Sequence, residues 1–229
     1  MKRIFEFGLI AIVLSAFTFT SCSNNLPKKV QNIVMKNNGK DYCVISFDSE
    51  GRLLNLKKKY RNTEFKYLDS SINFIENGGT ECGFANIEKD RIVVSPNGKF
   101  SYSPNGYLKS IVSFGSEEYN IPSKEIFNII VENGKISKCK MNDNDLTFLY
   151  GNARNNLNVD LSYLFFLFYD DVWTVLTNRL GERLDYLPSA IYENNKLNVK
   201  FSYEYDGKYL SKIVMGNESD NYSFELYYE

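Results

Sequence analysis

Few residues of this chain have the types and spacing that chemistry requires. The 229 residues include no histidine, which excludes a Ser-His-Asp triad, a Cys-His pair, a histidine-ligated zinc and a histidine general base. Carboxylate, lysine, tyrosine and serine-lysine chemistry stay open. A carboxylate-dependent glycan hydrolase needs two acids about 5–10 Å apart across a cleft, and the sequence singles out no such pair. We predict no catalytic residue and no enzymatic activity, with that hydrolase as the alternative.

Oxygen ligands cluster once, in Asn142, Asp143, Asn144 and Asp145. A calcium loop of the EF-hand type needs a glycine and a distant glutamate in register with such a cluster, and neither is present here. The four residues therefore predict a solvated turn. We expect no metal site and no cofactor.

A second kind of chemistry is suggested at Cys22. Lys2 and Arg3 precede an apolar run from Phe7 to Phe19, which is too short for a stable transmembrane helix and has the order of an export signal. The following Thr20-Ser21-Cys22 resembles a bacterial lipobox, which implies lipid attachment at Cys22; an ordinary cleaved signal with an incidental cysteine is the alternative. We predict a signal peptide over residues 1–21, a lipidated tether over 22–31 and a single domain over 32–229.

Three other cysteines follow, at positions 43, 82 and 139. An odd number allows at most one intramolecular disulfide, and no two of them have C-x-x-C spacing. Cys43 and Cys139 adjoin strand patterns. We therefore expect both to be small buried apolar residues.

The elements that would position these residues are mainly hairpins. The stretch from Phe201 to Ile213 alternates apolar and polar residues on both sides of Asp206-Gly207, which is typical of a hairpin with a two-residue loop. Three weaker hairpins are predicted from Ile45 to Leu53, from Phe100 to Leu108 and from Ile129 to Ile136. Tyr and Phe, with seventeen residues each, suit a half-buried sheet surface.

One stretch has a different period. From Leu164 to Leu180, apolar residues recur every four positions, and Gly181 follows, which predicts a helix with one apolar face and a C-terminal glycine. Asp170 and Asp171 lie on its polar side. A helix with such an aromatic face must be buried, and the strands offer the one large partner.

Several segments together resemble a known family. These are Asn156 to Leu164, Leu180-Gly181 and Tyr186 to Ile191, set among YD-type hairpin repeats behind the lipobox. They resemble Bacteroides-type lipoproteins, described as a domain of unknown function with a porin-like fold. The resemblance implies a large curved antiparallel meander, an open half-barrel, with the helix packed in its concavity. It supplies no catalytic residue.

The net charge and the strand lengths indicate where the protein is located and what it binds. A net charge of −1 gives no basic face for nucleic acid. Strands as short as Lys99 to Tyr102 are too short to cross a bilayer, so we expect attachment to the outer membrane through the lipid. Lys28 and Lys29, where surface-exported lipoproteins carry acids, favour its periplasmic face. We predict a non-catalytic binding or scaffold module with a glycan or envelope-protein partner; a structural role through exposed sheet edges is a further alternative.

Overall fold

The computed structural model describes residues 28–95, 98–114, 123–164, 176–216 and 221–229. Sixteen strands account for most of them. In chain order they are β1 (Val30–Asn37), β2 (Lys40–Phe47), β3 (Leu53–Lys58), β4 (Arg61–Tyr67), β5 (Ser71–Glu76), β6 (Glu81–Glu88), β7 (Arg91–Ser95), β8 (Gly98–Tyr102), β9 (Leu108–Ser113), β10 (Lys124–Glu132), β11 (Lys135–Met141), β12 (Asn144–Arg154), β13 (Tyr186–Glu193), β14 (Lys196–Asp206), β15 (Tyr209–Gly216) and β16 (Asn221–Tyr228).

The sheet is a closed antiparallel barrel in which each strand pairs with its neighbours in sequence. Closure is made by the first and last strands, with Ile33 opposite Leu226 and Met35 opposite Phe224. The predicted open half-barrel is therefore wrong. Alternating residues reveal the faces of a strand, but they do not show whether the two ends of a meander meet.

Asparagine and glycine explain many of the tight connections. A two-residue loop with positive φ at both positions matches the twist of the flanking strands. Asn38-Gly39, Asn133-Gly134 and Asn194-Asn195 all have positive φ at both residues. The predicted hairpin before Ile213 is confirmed, with one difference: Asp206 pairs with Tyr209, so Gly207 and Lys208 form the loop.

The two faces of the barrel wall differ in chemistry. The inward side chains are mostly apolar, and residues from all sixteen strands form one continuous buried cluster. The outward face carries cross-strand ion pairs, among them Lys36 with Glu225 (2.8 Å) and Lys66 with Glu81 (2.8 Å). A circular barrel of sixteen strands with a polar lining leaves a water-filled channel. Here the inward apolar side chains instead form a packed core.

The predicted half-barrel with a central helix from Leu164 to Leu180 is corrected to an all-β closed barrel, whose described residues contain no α-helix. At the described ends of that stretch, Leu164 has a 3₁₀ conformation and residues 176–178 form a turn; residues 165–175, with Asp170 and Asp171, lie outside the described residues. Leu176, Leu180 and Leu184 are nonetheless fully buried. Turns that place one leucine in the core at each step have the same spacing as a helix face.

Across the part of the chain with described structure, no helix has the length and apolar character needed to cross a membrane.

Candidate functional site

The described residues between β12 and β13, 155–164 and 176–185, lie across one mouth of the barrel. We call these two stretches the closing segment. Its backbone binds the tips of three hairpins in turn. Ile92 N–H donates to Arg179 O (2.9 Å), Glu182 N–H donates to Gly106 O (3.0 Å), and Asp185 N–H donates to Gly134 O (2.9 Å).

Two asparagines fasten the closing segment to the opposite side of the mouth. Asn158 makes two hydrogen bonds to the backbone of Val30, as an acceptor at 2.7 Å and a donor at 3.1 Å. Asn178 donates to Glu50 O in the β2–β3 turn (3.1 Å) and accepts from Asp160 N–H (2.6 Å). Gly51 has a φ of +76°, and an added Cβ there would clash with the Asn158 carbonyl. The turn can therefore approach this closely because residue 51 is glycine.

A buried polar cluster lies inside the closing segment. The Asn155 side-chain nitrogen is within hydrogen-bonding distance of Asp160 Oδ1 (3.0 Å), Ser162 Oγ (2.9 Å) and Leu184 O (3.1 Å). Asp160 also accepts from Ser162 N–H (2.8 Å). Four of the six polar residues buried in the described structure lie in this segment. Because each group is bonded to another part of the same segment, we assign the cluster a structural role.

The wall itself is interrupted next to this mouth. β9 and β10 pair only from Lys124 with Ser113 to Ile126 with Ile111, so the rest of β10, residues 127–132, has no ladder partner in β9. On the other side, β11 pairs with β12 only from Cys139 to Met141. The tip of the β10–β11 hairpin is therefore separated from both neighbouring strands.

The separation begins at Asn128. This residue has a φ of +52°, and the pairing of β10 with β11 shifts register between Phe127 and Ile130. These are the features of a β-bulge, which bends a strand out of its sheet. Asparagine tolerates the left-handed conformation better than most residues with a side chain, so the bend has a local cause in the sequence.

Two tyrosine hydroxyls bond backbone groups where the ladder is missing. Ile136 N–H donates to Tyr150 Oη (2.8 Å), and Leu108 N–H donates to Tyr163 Oη (3.3 Å). Burial raises the pKa of both tyrosines above the ordinary value, so both hydroxyls are neutral at physiological pH. They stabilise the separated strands as uncharged hydrogen-bonding partners.

The separation leaves a groove on the outer wall with a volume of about 1010 Å³. It extends from the β8–β9 turn to the β13–β14 turn. Its lining includes Tyr107, Lys109, Asn128, Ile129, Ile130, Val131, Ser137, Lys138, Lys140, Asp145, Thr147 and Asn194. The volume is at the upper end of the range for small-molecule sites, so the groove has room for an extended ligand.

The charges in this groove are unequal, with three lysines and one carboxylate. Lys140 lies 3.5 Å from Asp145, which is that carboxylate. Lys109 and Lys138 form no ion pair with any residue in the described ranges. Two ammonium groups without a described ion-pair partner, next to amides, hydroxyls and one exposed isoleucine, can bind an anionic or polar chain. A single carboxylate tied to a lysine does not provide the two acids that glycoside hydrolysis requires.

The structure places some of the residues that the sequence singled out, and others lie outside the described residues. Cys22 and the predicted signal peptide lie outside the described residues, and β1 begins at Val30, within the predicted tether. Cys43 and Cys139 are buried as predicted, while Cys82 is exposed; all three are free thiols. Asn142 and Asp143 form the turn between β11 and β12, and the described residues contain no group of three or more side chains that could hold a metal ion.

Sequence reasoning missed the groove altogether. The lysines of the groove lie at alternating positions, as charged residues do on any outward strand face. Their spacing alone therefore does not mark a binding site. The bulge at Asn128 is the one local feature that could have been noticed, since asparagine within an otherwise apolar β-branched strand is unusual.

Fold and groove together define an all-β closed barrel with a packed interior, one mouth covered by its own chain and an outer-wall groove. Solved structures share this fold. A porin-like protein from Bacteroides uniformis is similar over 87% of this chain and 98% of its own, with 16% identity and a TM-score of 0.63. A porin-like protein from Bacteroides vulgatus covers 88% and 99%, with 15% identity and a TM-score of 0.60.

These likenesses establish the fold and confirm the porin-like part of the predicted resemblance. No protein-family model matches the chain, and no curated protein matches it. The lipoprotein family and the hairpin repeats therefore stay predictions.

Proposed function

We propose that this protein is a non-catalytic binding module of the bacterial cell envelope and that the groove beside β10 is its ligand site. The observation that carries the proposal is the interrupted wall: a closed sheet gives up ladder pairing on both sides of one hairpin and leaves a concave, lysine-bearing surface there. The single carboxylate of the groove supports binding without hydrolysis. The porin-like neighbours support an envelope setting by analogy of fold.

The charged residues on the outer face of the barrel support a barrel that is surrounded by water, not by lipid. A barrel that crosses the outer membrane presents an apolar band about 25 Å tall to lipid. In this wall, ion pairs such as Lys36 with Glu225 and Lys212 with Glu204 lie on the outward face. A lipid at Cys22 would attach such a barrel to the outer membrane without inserting it, and we propose the periplasmic face on the strength of Lys28 and Lys29.

The groove is tested by site-specific photo-crosslinking in cells. A benzoylphenylalanine placed at Ile130, which is 44% exposed in the groove, should form covalent adducts with envelope components. The matched control is Leu54, which is 42% exposed on the outer face of β3 and distant in the barrel order. Equal adduct yields from the two positions, or none from Ile130, would remove the groove from consideration as a ligand site.

The attachment is tested separately. Cys22→Ala should move the protein from the membrane fraction to the soluble fraction. Protease treatment of intact cells should leave the wild-type domain uncleaved until the outer membrane is opened. Cleavage of the domain in intact cells would instead place it on the cell surface.

A further inference from the structure

We infer that the ligand of the groove is an extended acidic peptide segment of a partner protein, which adds as a strand along the unpaired edge of β10. This inference rests on the proposed function and specifies its ligand. It commits to peptide rather than glycan because the groove contains a free sheet edge as well as a charged surface. A strand with one unpaired side offers a row of backbone donors and acceptors to another chain.

The direction of these backbone groups follows from the pairing inside the hairpin. Glu132 and Lys135 flank the two-residue loop and form its hydrogen-bonded pair, so the next pair, Val131 and Ile136, is non-hydrogen-bonded. The peptide groups of Ile136 therefore point toward β12, where its N–H meets Tyr150. By the same geometry, the N–H and C=O of Val131 point toward the side that β9 has left.

On that side the Tyr163 hydroxyl bonds Leu108 N–H of β9, but no described group replaces β9 as the partner of the β10 backbone. On the β12 side, Tyr150 supplies a hydroxyl to the separated strand. On the β9 side, no hydrogen bond joins a backbone group of residues 128–131 to any described residue of β9. The unpaired edge of residues 127–132 is about 20 Å long at roughly 3.4 Å per residue, which matches a peptide of six residues.

Side chains around the edge select the character of the peptide. Lys109 and Lys138 lie on the two sides of β10 and are both exposed, so an incoming strand would place its outward side chains near one or both. The exposed Ile130 offers an apolar contact between them. Charge complementarity of this kind sets specificity and the rate of association, and it favours glutamate or aspartate at alternate positions.

The probe is an acetylated and amidated octapeptide that alternates glutamate with valine, titrated into the full chain by calorimetry at low salt. We expect a dissociation constant below about 1 mM. The same peptide with alternate backbone nitrogens methylated keeps its side chains but loses half of its N–H donors, and it should bind at least about tenfold more weakly.

Matched variants of the protein test how much the two lysines, as distinct from the backbone edge, contribute to peptide binding. The double variant Lys109→Glu and Lys138→Glu should weaken binding at least about tenfold, whereas Lys57→Glu on the far wall should leave it unchanged. Absence of binding below about 1 mM, equal binding of the methylated peptide, or equal loss in Lys57→Glu would each overturn the inference. If Ile130 adducts form in cells but contain glycan rather than peptide by mass spectrometry, the proposed function survives and the peptide inference fails.

Discussion

The buried cluster of the closing segment makes a quantitative prediction for Asn155→Ala. Asn155 is 5% exposed; its side-chain nitrogen is within hydrogen-bonding distance of three acceptors of the closing segment, and its oxygen accepts from Leu161 N–H. Its removal leaves Leu161 N–H and Leu184 O without their partner. Each buried group left unsatisfied costs about 1–3 kcal/mol. Asp160 keeps its bonds from Ser162, so we expect a total loss of about 3 kcal/mol in the free energy of unfolding, below the sum of independent terms.

The assay is urea unfolding followed by far-ultraviolet circular dichroism. The midpoint should fall while the slope with urea stays unchanged, because the surface exposed on unfolding is nearly the same. Asn152→Ala is the matched control, since Asn152 is an exposed residue of β12 three positions before Asn155; it should change stability by less than about 0.5 kcal/mol. A loss below about 1 kcal/mol for Asn155→Ala would refute the assignment of the cluster as the structural lock of the mouth.

A second substitution distinguishes lost hydrogen bonds from lost packing. Asn155→Asp keeps the size of the side chain but places a second carboxylate beside Asp160. Like charges raise the folded-state pKa of one of the two acids. A raised folded pKa gives stability that is present below the unfolded pKa and is lost as pH rises through the folded pKa. The variant should therefore approach wild-type stability at acidic pH and lose it toward neutral pH; a deficit independent of pH would point to packing alone.

Three further predictions concern the wall and the turns. Tyr150→Phe leaves Ile136 N–H unpaired and should cost about 1–2 kcal/mol in urea unfolding; no loss would mean that water replaces the hydroxyl. Cys82 should react with maleimide in the native state while Cys43 and Cys139 react after unfolding, because burial raises the pKa of each of those two thiols to about 12; labelling of all three natively would contradict the packed interior. Burial acts to raise the pKa of Asp48, but the N–H groups of Arg52 and Glu50 and the Arg52 guanidinium outweigh it and lower that pKa. Stability lost in Asp48→Asn at neutral pH should therefore vanish as pH falls through the lowered pKa of Asp48, and a loss that persists in acid would contradict this.

Local chemistry made the strands and turns predictable. Alternation and turn residues located the hairpin from Phe201 to Ile213 and the short strand after Lys99, because both signals depend on residues within a few positions of each other. The burial of Cys43 and Cys139 was predicted from their positions next to strand patterns. Such local patterns predict individual hairpins, not how the hairpins are arranged.

Closure and the closing segment depend on contacts between distant residues. The pairing of β1 with β16 joins residues almost two hundred positions apart, such as Ile33 and Leu226. Nothing in either strand alone distinguishes this partner from an exposed edge. In the same way, Leu176, Leu180 and Leu184 have helical spacing but are buried through turns that Asn158 and Asn178 bind to the far side of the mouth.

The covered mouth and the groove are two results of one arrangement. If the β10–β11 hairpin stayed in the barrel wall, it would pair along its whole length with β9 and β12. Here the tip residue Gly134 instead accepts a hydrogen bond from Asp185 in the closing segment, and an added Cβ at Gly134 would clash with the Asp185 side chain. The contact that covers the mouth thus binds the tip of the same hairpin that the bulge at Asn128 separates from β9. The edge of β10 that has no ladder partner in β9 is therefore part of the closed barrel, and it is the edge that we propose for the ligand.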